Sequence, residues 1–314
     1  MISVIIPLYN KEKSIASTLQ SVCEQTYTDY EVVIVNDGST DDSANVVKDF
    51  IARIDDRCID NRWTLVNKPN GGVCSARNIG IEEAKGEYVA LLDGDDIWDK
   101  EYLAEQVKML RDFPEAVMWG INFAEMNEGK LVRRLETALP DRYRGYVEHY
   151  FQMPGRISDL FCSSSVVIRR EVFDKVGMFD ERIKYAEDSD MWFRIIATHR
   201  VAFYDRYMVF YQWDAENRAL KREIKLKYFL PYYVDKYQNP LYKSNSVFYV
   251  WINRWASQQL KRYYFHNPAQ RAEAIEATRK LDYSVLPIKY RLYYKTPYWF
   301  GNLVYRLERR IKKK

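Results

Sequence analysis

Short apolar runs alternate with longer amphipathic stretches through the first 123 residues. Ser3-Val-Ile-Ile-Pro7 is a compact run with β-branched residues and reads as a buried strand. Lys11 to Gln25 follows with Ile15, Leu19 and Val22 at helical spacing, one apolar face of an amphipathic helix. The pair then repeats. Glu31 to Asn36 is a second strand, and Ser43 to Ile54 a helix with Val46, Val47, Phe50, Ile51 and Ile54 on one face. Trp63 to Asn67 predicts a strand, Gly72 to Ala84 a helix, and Glu87 to Leu92 a strand. Asp99 is placed to cap a helix running to about Arg111, and Ala116 to Phe123 is a fifth strand. Strands separated by helices of this length require right-handed crossovers. They predict an α/β fold with a mostly parallel sheet covered by helices on both faces.

The alternation breaks between Glu125 and Asp159. Glu128-Gly129, Pro140 and Pro154-Gly155 mark turns there, and Arg133, Arg134, Arg142, Arg144 and Arg156 make the segment basic. Phe161 to Arg169 returns as a strand and Arg170 to Val176 as a short helix. Tyr185 to Arg194 reads as a helix start with acids in its first turn, and Val201 to Trp213 as a late strand. Beyond this the helical period takes over at Leu226–Lys236, Ser246–Phe265 and Pro268–Leu281, with prolines as punctuation. The pattern divides the chain into 1–215, itself split at 123/124, and a mainly helical extension over 216–314.

Composition agrees with a packed chain: 47% of the 314 residues are apolar and 29% charged. The net charge of +4 hides an asymmetry. From Lys221 to Lys314 there are 21 Lys and Arg against 6 Asp and Glu, a balance of +15, which leaves −11 for residues 1–220. The same stretch holds 21 of the 48 aromatics. An acidic body is followed by a basic, aromatic region. Cys23, Cys58, Cys74 and Cys162 form no C-x-x-C pair. They are expected to be buried packing thiols in a reducing cytoplasm, without a disulfide scaffold or a cysteine zinc site. No apolar run approaches the ~18 residues of a membrane span, and Met1-Ile-Ser-Val4 lacks the features of a secretory leader. His149, His199 and His266 are isolated, so none suggests a metal pair.

Parallel α/β sheets bind ligands at the carboxyl ends of their strands, which directs attention to the residues after each strand. These are Leu8-Tyr9-Asn10, Asp37-Gly-Ser-Thr-Asp41, Lys68-Pro-Asn-Gly-Gly72 and Asp93-Gly-Asp-Asp96. Neither a G-x-G-x-x-G dinucleotide fingerprint nor a P-loop is present. Asp37-x-Ser39-x-Asp41 is weakly similar to a calcium loop, but Asp42 and Lys48 stand where Gly and Glu are required. In Asp93-Gly94-Asp95-Asp96 three carboxylates repel one another unless a cation joins them. Hard oxygen donors favour Mg²⁺ or Mn²⁺, and either ion holds a diphosphate. Gly94 would allow the tight backbone that aims Asp93 and Asp95 at one point. The competing reading is a solvated turn, with Asp96 or Asp99 capping the next helix.

In order along the chain, Val4-Ile-Ile-Pro-Leu-Tyr-Asn10, Asn36-Asp-Gly-Ser-Thr-Asp41, Asn70-Gly-Gly-Val-Cys-Ser-Ala-Arg-Asn78, Asp93-Gly-Asp-Asp96 and Glu187-Asp188 resemble the successive motifs of family-2 glycosyltransferases of the non-processive bacterial type. The resemblance covers about residues 1–215. It implies the GT-A nucleotide-diphospho-sugar fold. It also implies that the backbone near Pro7 and Tyr9 walls a base pocket and that Asp37 accepts from the pyrimidine N3–H. Asp93 is expected near the ribose or the sugar, Asp95 on the metal, and Lys68 and Arg77 against the donor. Asp188 is implied as the catalytic base, with Glu187 beside it at the acceptor. Trp192 stands as an acceptor-side aromatic with a core role favoured, Asp190 as a helix-start acid, and Asn78 as a packing residue. The Q-x-x-R-W of processive synthases is missing from Gln212-Trp-Asp-Ala-Glu216, and Gln212 and Trp213 replace the histidine that many soluble relatives carry there.

Together these point to an inverting transferase using a nucleotide-diphospho-sugar, a UDP-sugar first, with Mn²⁺ or Mg²⁺ as cofactor. The expected acceptor is a glycan or polyprenyl-linked saccharide of surface polysaccharide. A nucleotidyltransferase and a non-catalytic nucleotide-sugar or carbohydrate-binding module are the alternatives, and no G-x-S-x-G elbow supports a hydrolase. Tyr290-Arg-Leu-Tyr-Tyr-Lys-Thr-Pro-Tyr-Trp-Phe300 and the Arg-Arg-Ile-Lys-Lys-Lys end suit the headgroup zone of an anionic membrane. That reading places the protein in the cytoplasm, peripheral on the inner face of the membrane. A helical packing or homodimer domain stays open, and nucleic acid is not expected.

Overall fold

Four parallel strands form the first half of a ten-stranded sheet. They are β1 (Ile2–Leu8), β2 (Tyr30–Asp37), β3 (Trp63–Lys68) and β4 (Tyr88–Leu91), in the order β3-β2-β1-β4. The computed structural model describes residues 1–54, 62–134, 136–153, 160–217 and 225–311. Every residue of β2 is buried, which is why its Val-Val-Ile-Val run is apolar without alternation. The crossovers are α1 (Ile15–Cys23), α2 (Ser43–Arg53) and α3 (Val73–Glu83). Their inner residues Ile15, Leu19, Val22 and Val47 join β1 and β2 in one apolar core. α1 starts four residues later than its apolar period suggests, because Lys11 to Ser14 form a turn that closes onto Ile15 N–H.

β5 (Ile97–Trp98) and α4 (Tyr102–Asp112) follow, then β6 (Ala116–Asn127), β7 (Lys130–Arg134), β8 (Arg144–Tyr146), β9 (Val166–Arg169) and α5 (Val172–Val176). α6 (Glu187–Thr198) and β10 (Arg200–Gln212) complete this part. The sheet continues as β4-β9-β6-β10-β5, with β7 on β6 and β8 on β10. β9 runs antiparallel to both β4 and β6, so the sheet is mixed beyond its parallel first half. Glu128-Gly129 makes the tight β6–β7 turn with both residues at positive φ, as its composition suggests. Pro154, Gly155 and Arg156 lie outside the described residues.

Two details depart from the sequence reading. The expected strand over 161–169 is a strand only from Val166, because Ser163–Ser165 coil into a 3₁₀ turn held by Cys162 and Ser165. Cys23 is half-buried and disulfide-bonded, which corrects its reading as a packing thiol. Cys74 and Cys162 are free.

The chain forms two units, one of residues 1–181 with 187–222 and one of 182–186 with 223–314. The second contains α7 (Leu230–Lys236), α8 (Pro240–Lys243), α9 (Ser246–His266), α10 (Arg271–Arg279), α11 (Ile288–Tyr294) and α12 (Tyr298–Ile311). Its aromatics are largely interior: Phe229, Tyr233, Tyr237, Phe248, Tyr264, Phe265, Tyr293 and Tyr294 are all buried. The aromatic richness of this region therefore builds a core before it builds a surface. None of the described helices is long and apolar enough to cross a membrane.

α3 can approach β1 only because residue 80 is glycine: a Cβ there would lie 2.2 Å from Ile5 Cγ2. Gly80→Ala is expected to lower unfolding stability by about 1–3 kcal/mol in urea denaturation, through overpacking rather than helix propensity.

Candidate active site

The loops after β1 to β4 meet at the carboxyl edge of the parallel strands. Asn10, at φ 53°, accepts the Thr40 N–H at 2.8 Å through its side chain, and its own N–H donates to Ser39 Oγ at 3.1 Å. The β1 and β2 loops are thus joined before any ligand arrives. Pro7 and Tyr9 are half-buried along this edge.

Asp37 ends β2 and is buried. Its Oδ1 accepts from Lys68 Nζ at 2.5 Å and from Gly71 N–H at 2.8 Å, and its Oδ2 from Gly72 N–H at 2.8 Å. Gly72 leads into α3 at φ 93°, a conformation that side-chain-bearing residues resist. The carboxylate therefore fastens the glycine-rich loop, and Lys68 is tied to it as an ion pair. One acceptor direction remains on Oδ2, since a carboxylate oxygen has two.

Arg77, on the first turns of α3, is the centre of the site. Its side chain is only 3% exposed, with Nη2 2.8 Å from Asp93 Oδ1 and Nη1 3.0 Å from Glu187 Oε1. Its guanidinium lies 5.4 Å from the Phe179 ring centre. Burial opposes the charge, but Asp93, Glu187 and Asp188 outweigh it and hold the group cationic. Asn78, one residue on, makes reciprocal hydrogen bonds with the Phe179 backbone at 2.9 Å, the packing role expected of it.

The acidic loop after β4 divides its carboxylates between tasks. Asp93 faces Arg77 and stays partly open, at 31% side-chain exposure. Asp95 Oδ2 lies 2.6 Å from Lys11 Nζ, which also donates to the Glu216 carbonyl at 2.6 Å. Asp96 points inward, accepting from Ser164 Oγ at 2.5 Å and from Gln212 N–H at 3.3 Å. It caps no helix. Burial, then Asp95 and Asp93, push its carboxyl well above the usual range. Asp99 accepts the Glu101 N–H at 2.9 Å, two residues short of α4. Gly94 lies close to β1: a Cβ there would stand 3.2 Å from the Pro7 carbonyl, a tight contact.

Glu187 and Asp188 open α6. The Ser189 N–H donates to Asp188 Oδ1 at 2.6 Å. Burial pushes the Asp188 carboxyl up to about 7, the adjacent Glu187 pushes the same way, and Arg77 pulls against both. Asp190 is fully buried against Arg194, whose guanidinium also donates to the carbonyls of Val176, Gly177 and Met178. It is structural, as its helix-start reading suggested. Trp192 is 1% exposed and packs edge-on to Phe179, so it is corrected from acceptor-side aromatic to core residue.

Lys11, Ser164 and Glu216 belong to this site and were not legible from sequence. Glu216 Oε1 accepts from Lys13 N–H at 3.0 Å and Ser14 N–H at 3.2 Å, capping α1 from the far end of the unit's sequence. Ser164 Oγ accepts the Asp93 N–H at 3.0 Å while donating to Asp96. The only signal was the Ser163-Ser-Ser165 run before β9. Among the described residues, no group of three or more His, Cys, Asp or Glu forms a ready metal cage. Two hard carboxylates, one already balanced by an ammonium group, nevertheless suit a divalent ion that takes its remaining ligands from phosphate and water.

A mixed sheet with a parallel nucleotide-type half and an acidic strand-end loop now has its counterpart among known proteins. The family model for glycosyl transferase family 2 matches residues 3–177, and the chain belongs to that family. An uncharacterized glycosyltransferase of Rickettsia prowazekii is 27% identical over 206 residues, covering 65% of this chain and 61% of that protein. The uncharacterized glycosyltransferase EpsJ of Bacillus subtilis is 28% identical over 60% of this chain and 54% of its own length. The chain thus accounts for less than two thirds of either relative. The fold is GT-A, shared with S. aureus TarS 1-349 at TM-score 0.73 and 19% identity, over 97% of this chain and 89% of that one. A Pyrobaculum calidifontis mannosyltransferase, solved with GDP-Man and Mn²⁺, aligns at TM-score 0.56 and 18% identity over 100% and 88%.

Carboxyl ¹³C NMR should find one group titrating with a midpoint near 7, and Asp188→Asn should remove it. A spectrum without that transition would contradict the half-buried environment of Asp188 beside Glu187.

Proposed function

We propose that the protein is an inverting glycosyltransferase that moves a sugar from a UDP-sugar to a glycan or polyprenyl-linked saccharide of a surface polysaccharide. The observation that carries this reading is Arg77, which joins Asp93 on the donor side to Glu187 beside Asp188. The resemblance in fold to TarS, solved with UDP and with UDP-GlcNAc, supports a uridine donor.

In this reading the base lies along Pro7 and Tyr9, with its N3–H on the remaining acceptor of Asp37 Oδ2. Lys68, paired with Asp37 Oδ1, fixes the orientation of the carboxylate for that contact. Asp93 meets the ribose or the sugar, oriented by Arg77. Asp95, with Asp93, would hold Mn²⁺ or Mg²⁺, which supplies charge neutralisation for the leaving diphosphate. Asp188 takes the proton of the acceptor hydroxyl as that oxygen attacks the anomeric carbon. The bond to the diphosphate breaks on the opposite face, so configuration inverts. Glu187, fixed by Arg77, sets the direction of Asp188 and raises its proton affinity. A base so tuned sits close to the pH at which it must work.

Asp188→Asn should retain donor binding by calorimetry and lose roughly 10²–10⁴-fold in turnover. Wild-type turnover should rise with pH through about 7, because only the ionised carboxylate accepts the proton. Unchanged turnover in the variant would exclude Asp188 as the base. Lys11→Met should tighten Mn²⁺ binding without nucleotide, read as loss of the free-ion signal in electron paramagnetic resonance. Equal binding in both proteins would exclude Asp95 as the ligand.

A further inference from the structure

α12 has two unlike faces. Gly301 is buried and Tyr305 stacks on Phe265 with ring centres 4.6 Å apart. Glu308, the helix's one acid, turns to the same side: Lys289 Nζ lies 2.9 Å from its Oε1 and the Tyr293 hydroxyl donates to Oε2. Burial opposes its charge, but the Tyr293 hydroxyl and Lys289 prevail and draw the carboxyl down to about 2.

The opposite face carries Trp299, Leu303 and Leu307 at four-residue spacing, with exposures of 69%, 49% and 48%. At 100° per residue these fall in one stripe. Arg310 projects within the same sector, Arg306 at its edge and Arg309 on the flank of the helix, all exposed. Because Glu308 is turned inward, this face presents tryptophan, leucine and arginine with no acid among them. On α11, Ile288 is 74% exposed.

We infer that the outward face of α12 docks on an anionic lipid surface, with Trp299, Leu303 and Leu307 entering the headgroup–acyl boundary and Arg306, Arg309 and Arg310 meeting lipid phosphates. An interfacial helix needs this combination of apolar stripe and cationic flank. A second copy of the chain fits less well. It would set arginines against arginines, and three side chains fall short of the ~800 Å² per partner that a stable dimer buries. For its purpose, access to a lipid-linked acceptor, the inference rests on the transferase reading. The surface itself does not.

The test is flotation of the full chain, without nucleotide, on vesicles of phosphatidylcholine alone or mixed with phosphatidylglycerol. The wild type should float with the anionic vesicles. Trp299→Ser/Leu303→Ser/Leu307→Ser should lose about tenfold or more in partitioning. Arg306→Gln/Arg309→Gln/Arg310→Gln should lose the preference for phosphatidylglycerol. A dye on Leu303→Cys should shift to the blue on adding anionic vesicles, an independent reading that needs no triple variant. A wild type that stays in solution, or an apolar variant that binds unchanged, would overturn the inference. A fall in molecular mass of the apolar variant by light scattering would also overturn it, by assigning the face to a second copy. Because no donor is present, loss of turnover in Asp188→Asn and loss of flotation here fail or succeed separately.

Discussion

A single buried cation holds the two acidic ends of the site together. Arg77 is brought beneath the strand ends by α3, which is fastened at its start by Asp37 on Gly71 and Gly72 and allowed close to β1 by Gly80. From there its two terminal nitrogens reach Asp93, after β4, and Glu187, at the start of α6, residues 94 positions apart in sequence (187 − 93). Without a cation at that point, Asp93, Glu187 and Asp188 would repel one another in a poorly solvated space. Their placement side by side depends on one guanidinium, over which the Phe179 ring packs.

The same economy governs the charges around it. Asp37 and Lys68 neutralise each other, Lys11 balances Asp95, and Asp190 is matched by Arg194. Each of these three carboxylates already has a cationic partner within the fold. The site is organised before binding, which reduces the ordering that binding must supply.

Much of the first unit was legible in the sequence because parallel strands covered on both faces must be continuously apolar. The Val-Val-Ile-Val of β2 allows no other reading. The convergent loops were legible because their Asp, Asn and Gly clusters follow directly on the apolar strands. The parts that escaped were those fixed by distant contacts. Lys11 meets Asp95, Glu216 caps α1, and Ser164 spans Asp93 and Asp96, and no local pattern encodes such pairings. Trp192 and the aromatics of the second unit show the converse. Composition reported large rings, but whether a ring faces core or solvent is decided by packing, and most face inward.

On the outward face of α12, the charged side chains are all arginines, and the helix's one acid, Glu308, is engaged inward by Lys289 and Tyr293. In the docking inferred above, its attraction to a charged surface would vary with the composition and ionic strength of what lies opposite. Asp188, at the start of α6, behaves in the reverse way, its carboxyl pushed up to about 7 by burial and by Glu187. In the docking and the chemistry proposed above, location would answer to the lipids present and turnover to the proton concentration around them.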